Sequence, residues 1–239
     1  DKPIKYVVLT HYHAVRVMGA SAFPEVAAIV ASQGTLDWIR TRGQADFDSE
    51  VGRFPRLFQG VEEIPGLTMP TMSFAGEMSL WLGAGRELRL LALGRGHSSG
   101  DTVAWLPDCG VCFSGDVVEN HCGVYAGDAY IQDWAGTLDA VKALRPRVLV
   151  PGRGAVLQDE AACAEAIDLT KDFLSTLLGA VRAGIDAGDT LKGCFARAEA
   201  AMTPRFGSWP VFQHVLPFDV SRAYDELTGT EHPVVWTAE

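Results

Sequence analysis

Two imidazoles one residue apart, His11 and His13, follow an apolar run from Ile4 to Leu9 that reads as a short buried strand. Just past a strand's end both rings can turn toward one point, a common way to offer two nitrogen ligands to a metal ion. Taken alone, a His-x-His pair is more often two ordinary loop histidines. Two later stretches argue otherwise. Gly94-Arg95-Gly96-His97-Ser98-Ser99-Gly100-Asp101-Thr102 and Phe113-Ser114-Gly115-Asp116 again set a His and an Asp just beyond strand ends.

The elements that must position these groups can be read from hydrophobic spacing. A short helix from Val17 to Phe23 and a buried strand from Val26 to Val30 follow the first pair. Ser32 is a good cap for a helix from Thr35 to Arg40, with Gly43 as its stop. From Ala45 to Gly76 the chain is rich in Pro, Gly and aromatics, and reads as an extended loop beside the site. Met78–Leu82 and Glu87–Leu93 form a hairpin whose second strand delivers His97. Two further strands, Val103–Leu106 and Val111–Ser114, lead to Asp116. Gly136-Thr137 opens a helix from Leu138 to Leu144, and a strand from Arg147 to Val150 ends in Pro151-Gly152-Arg153-Gly154. Beyond Glu160 apolar residues recur at helical spacing as far as Ile185. Asp189 caps a second helix from Leu191 to Met202, and a third runs from Asp219 to Leu227. Alternating strands and helices with chemistry at strand ends indicate a layered α/β protein.

Bulk properties narrow the functions. The 239 residues suffice for a full core, and 48% hydrophobic with 21% charged residues is ordinary for a globular chain. A net charge of −10 argues against a general nucleic-acid or anionic-membrane binder. No apolar run approaches the ~18 residues of a membrane span, and Asp1-Lys2-Pro3 shows no signal peptide. The five cysteines lack framework spacing, which suits reduced thiols in a cytoplasmic protein. Cys109 and Cys112 have redox-motif spacing, but they sit at a hairpin, where nothing would lower a thiol pKa.

Four motifs, in order, carry a family resemblance: Thr10-His11-Tyr12-His13-Ala14-Val15-Arg16, the His97 stretch through Asp101, Ser114-Gly115-Asp116, and Pro151-Gly152-Arg153-Gly154. They resemble T-H-x-H-x-D-H, G-x-x-H-S-x-G-D, S-G-D and P-G-H-G of the metallo-β-lactamase-fold hydrolase superfamily, over roughly Ile4 to Gly154. The resemblance implies an αββα sandwich across residues 1–158 with a helical C-terminal extension at 159–239. The usual N-terminal strands have no counterpart ahead of residue 10, so the chain is a fragment, or something else covers that face, such as elements exchanged in a homodimer.

In that family one metal site takes the residues matching His11, His13, His97 and Asp116, and all four are present. The private ligands of the second site match Val15, Arg16 and Arg153, and none of these can bind a cation. The resemblance therefore implies one zinc ion, with iron as the alternative, and Asp116 orienting water or accepting its proton. Arg16 and Arg153 either clamp an anionic group of a small-molecule substrate or pair structurally with Asp101, Asp116 or Asp128. Asp101 is a candidate to fix a ligand imidazole or to cap its loop, Glu119-Asn120-His121 a place for replacement ligands, and His214 a group that could reach in from the tail. Three functions stay open: a zinc hydrolase of an ester, thioester, lactone or amide; a mononuclear iron oxygenase; and a non-catalytic binding scaffold.

Overall fold

Strand residues alternate between two faces, and this period of two sorts the apolar residues into layers. The computed structural model describes residues 2–236. Its first sheet is wholly parallel: β1 (Tyr6–Leu9), β2 (Ala28–Ser32) and β3 (Met72–Phe74), with Val8 opposite Val30 and Ala31 opposite Ser73. Its second sheet runs in the order β4 (Glu77–Trp81), β5 (Glu87–Leu91), β6 (Val103–Leu106), β7 (Val111–Gly115) and β8 (Val148–Pro151). The first four are antiparallel neighbours, and β8 is parallel to β7.

Ala28 and Val30 of β2 face Leu90 and Leu88 of β5, forming the core between the sheets. Ile29 and Ala31 point the other way, onto Tyr12, Val17 and Ile39. On the far side of the second sheet, Leu91, Val103, Trp105, Cys112 and Leu149 pack on α4 (Ile131–Ala143), α5 (Glu160–Asp186), α6 (Leu191–Phe206) and α7 (Phe212–Leu227). Helices, sheet, sheet and helices thus stack in that order, and the C-terminal helices share one core with the second sheet.

Three local expectations need correction. The chain does not leave the helix at Gly43. α1 (Ala14–Val17) and a 3-10 turn follow the first histidines, and α2 (Gln33–Trp38), capped by Ser32 as expected, continues through a π turn (Ile39–Gly43) into α3 (Gln44–Arg53). A Cβ at Gly43 would lie 2.8 Å from Leu67 Cδ1, so packing and not termination accounts for that glycine. The segment read as an extended loop from Ala45 therefore begins as helix. Asp189 is not the cap of α6; Thr190 Oγ1 accepts the Gly193 N–H at 3.3 Å, and Asp189 pairs with Arg197.

Two helices start earlier than their sequence signals. α7 begins at Phe212, with Pro217 inside it, because Phe212, Val215, Leu216 and Val220 bury one face together and outweigh the proline's cost of about 3 kcal/mol. α4 begins at Ile131 because its cap is tertiary: the Glu226 carboxylate of α7 accepts the Ile131 and Gln132 N–H groups, each at 2.9 Å. Glu226→Ala is expected to lower stability by about 1–2 kcal/mol in urea unfolding, the range of a lost N-terminal cap; an unchanged midpoint would mean that water replaces the carboxylate without cost.

Candidate metal centre

β5, β7 and β8 run in the same direction, so the loops that leave their C-terminal ends reach one edge of the sheet. Those loops carry His97, Asp116 and Arg153. The loop after β1 brings His11 and His13 to the same edge, tied there by the Thr102 N–H donating to the Thr10 carbonyl at 2.7 Å. The result is a cluster of three buried imidazoles, His11, His13 and His97, each with one ring nitrogen within 4.8 Å of the others.

The nitrogens facing inward can be identified from the partners of those facing outward. His11 Nδ1 lies 3.0 Å from Thr10 Oγ1, His13 Nε2 lies 3.1 Å from both oxygens of Asp128, and His97 Nδ1 lies 3.0 Å from the Tyr125 carbonyl. His11 Nε2, His13 Nδ1 and His97 Nε2 are therefore left for the centre. Two observations fit a metal ion there. His11 Nε2 is fully buried without a hydrogen-bond partner. His13 Nδ1 and His97 Nε2 stand 3.1 Å apart, close to the roughly 3.3 Å between nitrogens that bind one tetrahedral zinc at about 2.0–2.1 Å. Burial holds the His11 and His97 rings down at about 3 and pushes His13 well below its ordinary value, so near neutral pH all three keep free lone pairs.

Asp116 lies beside the cluster, its Oδ2 3.8 Å from His97 Nε2 and 3.9 Å from His11 Nε2. It is 3% exposed, and two guanidiniums hold it. Arg16 donates to both oxygens at 2.9 and 3.0 Å, and Arg153 Nη1 lies 2.9 Å from Oδ2. Burial alone would push this carboxyl up; the neighbouring imidazoles and the two guanidiniums hold it well below the usual carboxylate range. Of the two roles open to the arginines, pairing with Asp116 is thus present in the geometry. Arg153 also bonds Glu119, whose carboxyl burial pushes up to about 8. Glycine at 152 follows from this packing, since a Cβ there would lie 2.5 Å from Asp116 Oδ1.

Other expectations divide. Asp101 binds the Ser98 N–H at 2.9 Å and hydroxyl at 2.6 Å, so it shapes the His97 loop and touches no ligand imidazole. The carboxylate that does so is Asp128, which also accepts the Tyr12 hydroxyl. Sequence reading places Asp128 nearby without that role; an Asp more than a hundred residues from its histidine leaves no local signal. Glu119 pairs with Arg153, and the exposed His121 ring packs on Trp209, 5.6 Å between centroids, so neither joins the ligand cluster. Cys112, at the expected hairpin, is buried with its thiol pushed up to about 12, which gives the redox spacing no reactive thiolate.

A cavity of about 140 Å³ opens beside the cluster. It is lined by His13, Arg153 and Tyr125, by the apolar Val15 and Val215, by Glu50, Arg53 and Phe54 at the end of α3, and by Val211 and His214 at the start of α7.

Residues 80–153 match the profile of the Metallo-beta-lactamase superfamily, a span that includes His97, Asp116 and Arg153. The chain is 35% identical over 115 residues to the metallo-beta-lactamase type 2 of Bacteroides fragilis, covering 46% of this chain and 44% of that protein, so it spans less than half the length of that relative. Solved structures share the fold. A sec-alkylsulfatase from Pseudomonas sp. aligns at TM-score 0.65 and 16% identity over 96% of this chain and 42% of its own. A metallo-beta-lactamase family protein from Thermus thermophilus aligns at TM-score 0.63 and 19% identity, over 94% and 75%. The chain is thus similar to that superfamily over residues 80–153, and the solved structures show the same fold. Among the described residues, no helix is long and apolar enough to cross a membrane.

Two outcomes are expected. Asp128→Ala should weaken metal affinity about 10- to 100-fold in chelator competition, because it removes the oxygens that hold His13 Nε2 and so set its tautomer. For the metal-free protein, unfolded imidazoles protonate near ~6.5 and the folded rings only near about 3. Between those values these imidazoles bind more protons in the unfolded chain, so their share of the stability at neutral pH is lost on acidification, while the raised carboxyls of Glu119 and Asp128, both pushed up to about 8 by burial, act in the opposite direction. The histidine share is read as a difference: from about pH 7 to about pH 5 the urea midpoint of the wild type should fall relative to that of His97→Gln.

Proposed function

We infer that the protein is a hydrolase that works with one resident metal ion, held by His11 Nε2, His13 Nδ1 and His97 Nε2 with Asp116 alongside. The observation that carries this reading is the inward convergence of three neutral imidazoles next to a carboxylate already neutralised by Arg16 and Arg153. A second dication in that neighbouring position would face fixed positive charge. Two unit charges about 4 Å apart at an effective dielectric of about 20 interact by about 4 kcal/mol, so each guanidinium would oppose a dication by roughly 8 kcal/mol. The positions of Val15, Arg16 and Arg153 supply no ligand to offset that.

Zinc, when bound to such a set, supplies a water acidified to a pKa of about 7. The chain's own residues do the rest. Asp116 stays ionised and can orient the attacking water as a hydrogen-bond acceptor. Arg153, one-third exposed and lining the cavity, can hold negative charge on the substrate through N–H groups not directed at Asp116 or Glu119. Val15 and Val215 add apolar lining.

The cavity is smaller than the roughly 300–1,000 Å³ of drug-sized ligand sites, which favours a small ester, thioester, lactone or amide, or a larger molecule that inserts only its reacting end. β-Lactams and alkyl sulfates, the substrates named in its relatives, belong in the test panel on the same footing.

Elemental analysis of protein purified without added metal should find about one equivalent of zinc. Arg153→His should still bind one, because Val15 and Arg16 remain; two ions in either protein contradict the reading. Iron together with oxygen uptake would favour an oxygenase, and a metal-loaded protein inert across the ester, lactam and sulfate panel would favour a binding scaffold.

A further inference from the structure

The helical C-terminal region reaches the metal centre through α7. Its first turn is pressed against the loop that follows Asp116: the Gly123 N–H donates to the Pro210 carbonyl at 2.9 Å, and a Cβ at Gly123 would lie 3.0 Å from the Phe212 backbone. Further along α7, the buried Asp219 accepts the Ala126 N–H at 2.6 Å, fixing the backbone beside the Tyr125 carbonyl that orients His97. The chain entering α7 is strained, since Val211, a β-branched residue, sits at φ 60°. Conformations of this kind cost on the order of 1–3 kcal/mol and persist only where the surroundings enforce them. Here the enforced turn sets Val211, His214 and Val215 on the lining of the cavity that His13 and Arg153 also line.

Of these three, His214 is the group able to do acid–base chemistry. His214 is exposed, and its ring centroid lies 5.4 Å from that of Phe54 and 5.7 Å from that of Phe218. Among the described residues no hydrogen bond to the ring is seen. His214, His13 and Arg153 line one and the same small cavity, so a molecule seated in it lies within reach of all three.

The other titratable or charged groups around the cavity come from every element that faces His214, and each is committed elsewhere. Asp46 of α3 accepts the Ala14 N–H at 2.6 Å, and Glu50 is paired with Arg53. Arg53 and Arg153 are permanently charged. The Tyr125 hydroxyl is pushed further up by burial, so it is a weak acid. His13 turns its free nitrogen toward the metal centre. An imidazole, by contrast, is the side chain suited to exchanging protons near neutral pH.

We propose that His214 is the proton donor to the leaving group, a catalytic residue contributed by the C-terminal helix. This rests on the hydrolase reading above. The water oxygen bonds to the acyl carbon, and the acyl–oxygen bond breaks with its electron pair on the leaving oxygen. That oxygen takes the proton from the His214 ring, and the proton released by the water returns to the imidazole through solvent. The balance is ester plus water to acid plus alcohol.

The test compares ethyl acetate, whose leaving group needs a proton, with 4-nitrophenyl acetate, whose leaving group does not, on the zinc-loaded protein. His214→Gln should lower kcat on ethyl acetate about 100-fold or more, the scale of general-acid catalysis, and on the nitrophenyl ester only a few-fold, with one zinc still bound. Equal losses on both esters, or the same signature from Glu50→Gln in place of His214→Gln, would overturn the assignment. A second arm does not depend on turnover. In cobalt(II)-loaded protein the His214 ring signals, identified by their loss in His214→Gln, should be strongly shifted and broadened; signals like those of the zinc protein overturn the placement of His214 alone. Wild-type protein inert across the whole ester, lactam and sulfate panel, with the cobalt effect present, sinks the hydrolase reading and the proton-donor role with it.

Discussion

Asp116 is a carboxylate enclosed at the edge of the second sheet, and it stays ionised there because Arg16 and Arg153 reach it from two different loops. A buried charge stripped of one partner destabilises by several kcal/mol, so the three side chains form a unit and none can move alone. The unit explains features that otherwise look unrelated. Position 152 must be glycine because the Asp116 carboxylate occupies the space of a Cβ, and Gly154 at φ 94° turns the chain so that Arg153 can face inward. The shared direction of β5, β7 and β8 brings the ion pair and His97 to one edge in the first place.

Around that unit, every imidazole is aimed by a group from a different part of the chain. Thr10 sets His11 locally, Asp128 sets His13 from beyond β7, and the Tyr125 carbonyl sets His97. The Tyr125 segment is itself held by Asp219 of α7. The geometry of the centre is therefore a property of both halves of the chain, since the same helix that caps α4 through Glu226 also braces the loop behind a ligand. Burial does the remaining electrostatic work by keeping the rings neutral.

How much of this was legible in the sequence follows from the range of each interaction. The histidines, Asp116 and the hairpins around them were readable because each depends on a few consecutive residues: an apolar strand, then a polar group at its end. The long helix α5 was readable from its period, and Ser32 from its cap. The continuation of helix through Gly43, the early starts of α4 and α7, and the role of Asp128 were not, because each is decided by a contact distant in sequence: Leu67, Glu226, the buried face of α7, and His13. Pro217 and Asp189 were misleading for the complementary reason, as local signals overruled by packing and by a neighbouring Thr190 cap.

On the proposed reading two guanidiniums stand beside Asp116 where two-metal relatives hold a second ion, and this changes which tasks the site can divide. Two ions can generate a nucleophile at one position and stabilise the leaving oxygen at the other. A guanidinium stabilises negative charge through directed N–H groups, but it neither acidifies a water nor yields a proton. On the proposed reading, nucleophile activation falls wholly to the histidine site, and charge stabilisation to Arg153. Protonation of a poor leaving group falls, on the same reading, to His214, on the part of the cavity lining that the strained turn at Val211 holds in place.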